Sequence, residues 1–185
     1  VLPPLTRCKL LLLEFSACPL ACVLRPLFRC CFLRCCCMVC CLRDHTALPI
    51  LYGVPAGKFR DIPFKVNSWP LVQQTKPVEE DFIFVGGRSR RDFATLFQAV
   101  KDLPYAVKVL TAHQPDLTPH GSSLDGLEPP PNVELLYNDS DSRVFVDLMS
   151  RSKLVVVPIR KDAAVQAGIG VCLLGMALEK CVIVS

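Results

Sequence analysis

The sequence predicts an α/β domain built on an open, largely parallel sheet in its C-terminal part, and three observations carry that reading. From Asp81 onward, short apolar runs alternate with stretches of helical periodicity. Most of these runs stop at glycine, proline or polar residues, as strands entering loops do. The fourth run, Leu154–Val157, is continuously apolar and ends at Pro158, the pattern of a strand covered on both faces.

Taken in order, Phe82-Ile83-Phe84-Val85 reads as a buried strand closed by Gly86-Gly87. Across Arg91–Asp102, Phe93, Leu96, Phe97 and Val100 recur at helical spacing and mark one face of a helix. Ala106–Leu110 gives the second strand, His113–Pro131 a long polar loop, and Val133–Leu136 the third strand. Asp141 can cap a helix running to about Arg151, with Phe145, Leu148 and Met149 turned inward. Leu154–Val157 follows, then a helix over Gly168–Leu178 and a last strand at Cys181–Val184. Sheets of this kind bind ligands at the carboxyl ends of their strands. Gly86-Gly87-Arg88 leaves the first strand there, Pro158–Gln166 leaves the fourth, and Gly168-Ile169-Gly170 opens the next helix. Glycines let backbone N–H groups approach a phosphate, a helix N-terminus adds its dipole, and arginine adds a forked charge.

The rest of the chain reads differently. Residues 1–43 hold ten of the 12 cysteines and six Lys/Arg against one Glu. Charges and Pro19 and Pro26 interrupt the apolar runs, so a spanning helix is not expected. The cysteines are contiguous rather than paired across two turns, which argues against a zinc site and leaves them as small apolar residues. This segment reads as a remnant of an N-terminal domain or as a membrane-surface helix. Residues 44–80 contain Pro49, Pro55, Pro63, Pro70 and Pro77 and read as the end of that domain and a linker. The α/β domain is residues 81–185. Residues 71–185 hold 12 Lys/Arg against 14 Asp/Glu without interleaved aromatics, so nucleic acid is not an expected partner.

Five segments, LYGVPAGKFRDIPFKVN, FIFVGGRSRRDFATLFQAV, PNVELL, KLVVVPI and AGIGVCLLGMALEKCVIVS, resemble in order and spacing a GT-B retaining glycosyltransferase. The group is the one containing sucrose and glycogen synthases, and the likeness is to its C-terminal, donor-binding domain. The resemblance implies a Rossmann-like open parallel sheet, incomplete at its C-terminal end and preceded by the tail of an N-terminal domain. It implies a cytoplasmic enzyme that transfers sugar from a nucleotide-sugar donor to an unknown acceptor, and the basic, apolar composition of residues 1–43 leaves peripheral contact with a membrane surface open. No cofactor or metal is implied. Gly86 and Gly87 resemble the turn that approaches the donor diphosphate, and Arg88 the phosphate-binding arginine. Arg91 resembles the second basic residue, with Arg90 competing. Gly168 and Gly170 resemble the opening of the helix that meets sugar and diphosphate.

The departures are specific. Aligned on Met176-Ala177, the two glutamates this group places eight positions apart fall on Gln166 and Leu174. Gln166 can still bond a sugar hydroxyl, whereas Leu174 cannot accept from a ribose. The glycine and proline of the following run become Glu179 and Cys181. Most of this group's N-terminal acceptor domain and the last strand and helices of its donor domain have no counterpart in the sequence, so the chain is expected to be a fragment without turnover of its own. The other readings are a non-catalytic relative that binds, and a membrane-surface protein working through residues 1–43. The last predicts that the protein floats with anionic liposomes and is released by salt. Flotation indifferent to salt contradicts an electrostatic contribution.

Overall fold

A computed structural model of the chain describes residues 38–40, 50, 53, 55–61, 64–76, 78–161 and 167–185. The chain divides between Phe64 and Lys65 into two units. In the first, β1 (Met38–Cys40) and β2 (Phe59–Asp61) pair in parallel, Met38 beside Phe59 and Cys40 beside Asp61. These three residues of the segment read as helical are therefore a strand. The remainder of residues 1–43, with most of the cysteine cluster, lies outside the described residues. Among the described residues no helix is long and apolar enough to cross a membrane.

The second unit begins at Lys65, so residues 65–80, which the sequence places in the linker, belong with the sheet. The proline-rich composition predicts extended backbone there. Instead Trp69–Gln74 form helix α1, with Pro70 in its first turn, where a missing N–H breaks no helical bond. Val72 of α1 is buried in the core beside Val146 and Met149.

Five parallel strands follow: β3 (Phe82–Gly86), β4 (Ala106–Leu110), β5 (Val133–Leu136), β6 (Leu154–Val157) and β7 (Cys181–Val184). Their order across the sheet is β5-β4-β3-β6-β7. The chain therefore winds outward from β3 to one edge, returns, and winds outward to the other. The Rossmann-like order reverses between β3 and β6, where Ile83 to Val85 pair with Leu154 to Val156. Adding strands in opposite directions with crossovers of one hand puts helices on opposite faces. The two cores agree. Phe93, Leu96, Phe97 and Val100 of α2 (Phe93–Val100) cover Ile83, Val85, Val107 and Val109 on one face. On the other, Val146 and Met149 of α4 (Ser142–Arg151) and Leu174 of α5 (Ile169–Ala177) cover Phe84, Val155 and Val157.

The caps explain the helix boundaries. Asp92 Oδ1 accepts from Thr95 N–H at 3.0 Å to start α2, and Asp141 accepts from Arg143 N–H at 2.8 Å to start α4. In α4 the fully enclosed residues are Val146 and Met149, whereas Phe145 and Leu148 are half-buried. The expected polar loop after β4 is more ordered than its composition predicts. Gln114–Leu117 form a short helix, α3, with Leu117 completely buried. The Gln114 amide ties that turn down, accepting from Leu124 N–H at 2.8 Å and donating to Asp125 Oδ2 at 2.9 Å.

Phe84 is fully buried at the centre of the sheet and meets Phe145 edge-on, with ring centroids 5.3 Å apart. Phe84→Ala should lower the unfolding free energy by about 3–5 kcal/mol in urea titrations. A loss below about 1 kcal/mol would contradict this packing.

Candidate functional site

At the reversal between β3 and β6 the carboxyl ends of the strands open into a cleft of about 280 Å³. Its walls come from four places: Asn67 and Ser68 before α1, the turn after β3, the β5–α4 connection with Asp139 and Ser142, and the start of α5. The volume lies below the roughly 300–1,000 Å³ of sites that enclose a drug-sized ligand. A group the size of a phosphate or diphosphate fits inside, with the rest of a larger ligand outside.

Arg91 organises this end of the sheet. It is only 3% exposed. Its Nε–H donates to Gly86 O at 3.0 Å and an Nη1–H to Ser89 O at 2.7 Å, so the guanidinium clamps both ends of its own turn. Its backbone N–H donates to Ser122 Oγ at 2.7 Å, and that hydroxyl donates to Arg88 O at 2.6 Å. Arg91 also bridges Ile159 after β6, while Asp92 N–H donates to Pro158 O and Arg160 N–H to Arg90 O, each at 3.0 Å. The turns after β3 and β6 are thereby one piece.

Two of the five guanidinium N–H donors meet those carbonyls, and the other three have no partner among the described residues. Nη2 lies against Gly87: a Cβ there would sit 2.6 Å from it, and φ at Gly87 is +93°. Only glycine allows this approach. Among the described residues no carboxylate pairs with Arg91, and burial pulls its pKa down to about 10, with Cys172 opposing the shift slightly. The charge is kept at neutral pH and is poorly solvated, the condition in which an incoming anion gains most. The same burial raises the Cys172 thiol, so it is held neutral rather than as a nucleophile.

Helix α5 opens on the same cleft. Gly168 adopts φ +80°, and a Cβ there would strike Val157 Cγ1 at 2.7 Å and lie 3.6 Å from Arg91 Nη1. The first intrahelical bond is Cys172 N–H to Gly168 O at 2.9 Å, so the amides of Ile169, Gly170 and Val171 lie ahead of the ladder. Asn67 stands over Gly170, where an added Cβ would lie 3.3 Å from Nδ2.

The remaining sequence candidates separate. Arg88 lines the cleft but is bound to Asp139 by two bonds, Nε to Oδ2 and Nη2 to Oδ1, both 2.8 Å. Its Nη1 edge has no partner among the described residues. Gly86 acts through space: a Cβ would sit 2.5 Å from Phe145 Cζ. Arg90, at φ +53°, lays its side chain over Gly121 and is not a wall of the cleft. Arg160 and Lys161 line a second recess of about 620 Å³ beside α2, to which Arg91 also contributes, and Lys153 pairs with Asp81 at 2.8 Å at the opposite end of the strands. Gln166 lies outside the described residues. Leu174, 5% exposed, forms part of the cleft wall. Sequence reasoning missed Asn67, Ser68 and Asp139. Ser68, at φ +56°, gives no signal as a serine, and Asp139 sits in a polar run that reads as an ordinary helix entry.

The fold and cleft define a Rossmann-like parallel α/β unit with a donor-rich pocket at its switch point. No family model matches the chain, and no curated protein or solved structure matches it either. Among the described residues no group of His, Cys, Asp and Glu is placed to hold a metal ion.

The pKa of Arg91 fixes a pH signature. Below about pH 10 both folded and unfolded chains hold its proton; above that the folded chain loses it first while the unfolded chain still holds it, so stability rises with pH there. The difference in unfolding free energy between the wild type and Arg91→Met should be flat from about pH 6 to 9 and then move toward the wild type. A difference that shifts the other way above pH 10 contradicts a guanidinium held in this environment.

Proposed function

We propose that the sheet unit is the donor-binding part of a retaining glycosyltransferase of GT-B type, holding the diphosphate of a nucleotide-sugar in the switch-point cleft. The observation that carries this reading is the convergence on one small cleft of the unfilled N–H donors of Arg91, the glycine turn at Gly87 and the leading amides of α5. A departing nucleoside diphosphate gains negative charge, and donors fixed in advance stabilise it without reorganising. Arg91 supplies the buried charge, and Gly87 lets the ligand reach it. Gly168 and Gly170 present the helix amides to the diphosphate and the sugar. Arg88 offers its Nη1 edge at the rim. Gln166, two residues before the helix N-cap Gly168, is the proposed contact to a sugar hydroxyl.

A second reading, a non-catalytic relative that binds a phosphorylated ligand, is favoured by Leu174. It places an aliphatic wall where the resemblance expects a ribose acceptor. Both readings share the anion site and part at the chemistry.

Calorimetry with uridine, guanosine and adenosine diphosphates should find at least one that binds. Arg91→Ala should weaken it by roughly ten- to a hundredfold, the loss of one or two charged hydrogen bonds. Arg88→Ala should cost less, because part of its fork already serves Asp139. Binding of none of the three by the wild type overturns both readings. A nucleotide-sugar bound no more tightly than inorganic pyrophosphate, its sugar and ribose adding nothing, decides for the second.

A further inference from the structure

The cleft contains one acidic side chain that the anion-binding reading does not use. Asp139 is 6% exposed, yet it lines the cleft together with Arg88, Arg91 and the start of α5. Both of its oxygens accept from Arg88, whose side chain is 31% exposed. The pair is neutral as a unit. The two arginines therefore act on a ligand as one net positive charge rather than two. The cleft is small enough that a charge inside it lies within about one Debye length of the carboxylate, roughly 8 Å at physiological salt.

We propose that Asp139 is a specificity-determining residue that sets the charge of the ligand the cleft prefers, favouring a diphosphate diester over a free nucleoside diphosphate. This rests on the reading of the cleft as a diphosphate site. A nucleotide-sugar has no terminal phosphate ionisation, whereas a nucleoside diphosphate loses a further proton with a pKa near about 6 and carries about one more negative charge above neutrality. Arg88 alone would reward that extra charge. Asp139, fixed beside it and held out of water, opposes it. The balance lets the intact donor compete with the more strongly charged product of transfer, so the site releases what it makes. Positioning of Arg88 by Asp139 affects both ligands alike, because they share the same phosphates, and so cancels when their affinities are compared as a ratio.

The test is that ratio, measured by calorimetry at pH 8 with two pairs of probes: uridine diphosphate against UDP-glucose, and adenosine diphosphate against ADP-glucose. Asp139→Asn should shift the ratio toward the free diphosphate by about three- to tenfold, the effect of one charge acting on one charge across a partly screened cleft. Asp139→Glu should retain the wild-type ratio. Arg88→Ala, which leaves the carboxylate uncompensated, should shift the ratio the other way. A thermal melt establishes that each variant is folded. If Asp139→Asn does not fold, the direction of the Arg88→Ala shift decides. A ratio unchanged in Asp139→Asn, with both ligands still bound, overturns the inference and leaves the diphosphate site standing. A wild type that binds neither pair removes the site and the inference together.

Discussion

Arg91 places a guanidinium, 3% exposed and without a carboxylate partner among the described residues, at the point where the sheet reverses its winding. Much of the local geometry is arranged around that charge. Burying an arginine is costly unless its donors are met, and here two backbone carbonyls of its own turn meet part of the demand. Meeting it forces the turn after β3 to curl over its own side chain. That curl requires glycine at position 87 and brings Gly168 of the neighbouring turn to the other side of the guanidinium. The same residue's backbone carries the bond to Ser122 and the bridge to Ile159. Three loops are thus fixed by one residue, and the donors left over face the cleft. The pocket and the support of the fold at this edge are the same structure.

The elements with strong periodicity were legible in the sequence. The i, i+3, i+4, i+7 face of α2 is the buried one, and the capping aspartates at 92 and 141 start their helices. The five strands lie within a residue of where the apolar runs placed them, because a parallel sheet covered on both faces leaves little freedom in composition. What was not legible depends on contacts distant in sequence. Helix α1 forms in a proline-rich stretch because Val72 finds a core beside α4. The order after β4 depends on the Gln114 amide, whose partners lie nine to eleven residues away. Local composition records neither partner.

The site was half legible for the same reason. Glycines 86, 87, 168 and 170 stand at the end of β3 and the start of α5, which the strand order brings together, so position along the chain sufficed to nominate them. The sequence nominates Arg88 as the phosphate-binding arginine and Arg91, with Arg90 competing, as the second basic residue, and the structure separates them. Arg88 is half-exposed and compensated by Asp139, whereas Arg91 is buried and has no acid partner among the described residues. A sequence lists charges without their counterions, and Asp139 lies 51 residues from the arginine it neutralises. This separation shifts weight from Arg88 to Arg91 as the principal anion contact. Leu174 shifts it in another direction, since an apolar wall inside the cleft favours the phosphate portion of a ligand over its hydroxyls.

The central claim is that one buried arginine and the first turn of α5 form a single anion site. Backbone and arginine side-chain NH spectra recorded while inorganic pyrophosphate is added test it most directly. The account predicts shifts concentrated at the amides of Gly87, Ile169, Gly170 and Val171 and at the Arg91 side chain, saturating together with one dissociation constant. Shifts centred instead on Phe93, Ala94 and Lys161, which line the other recess, would contradict it.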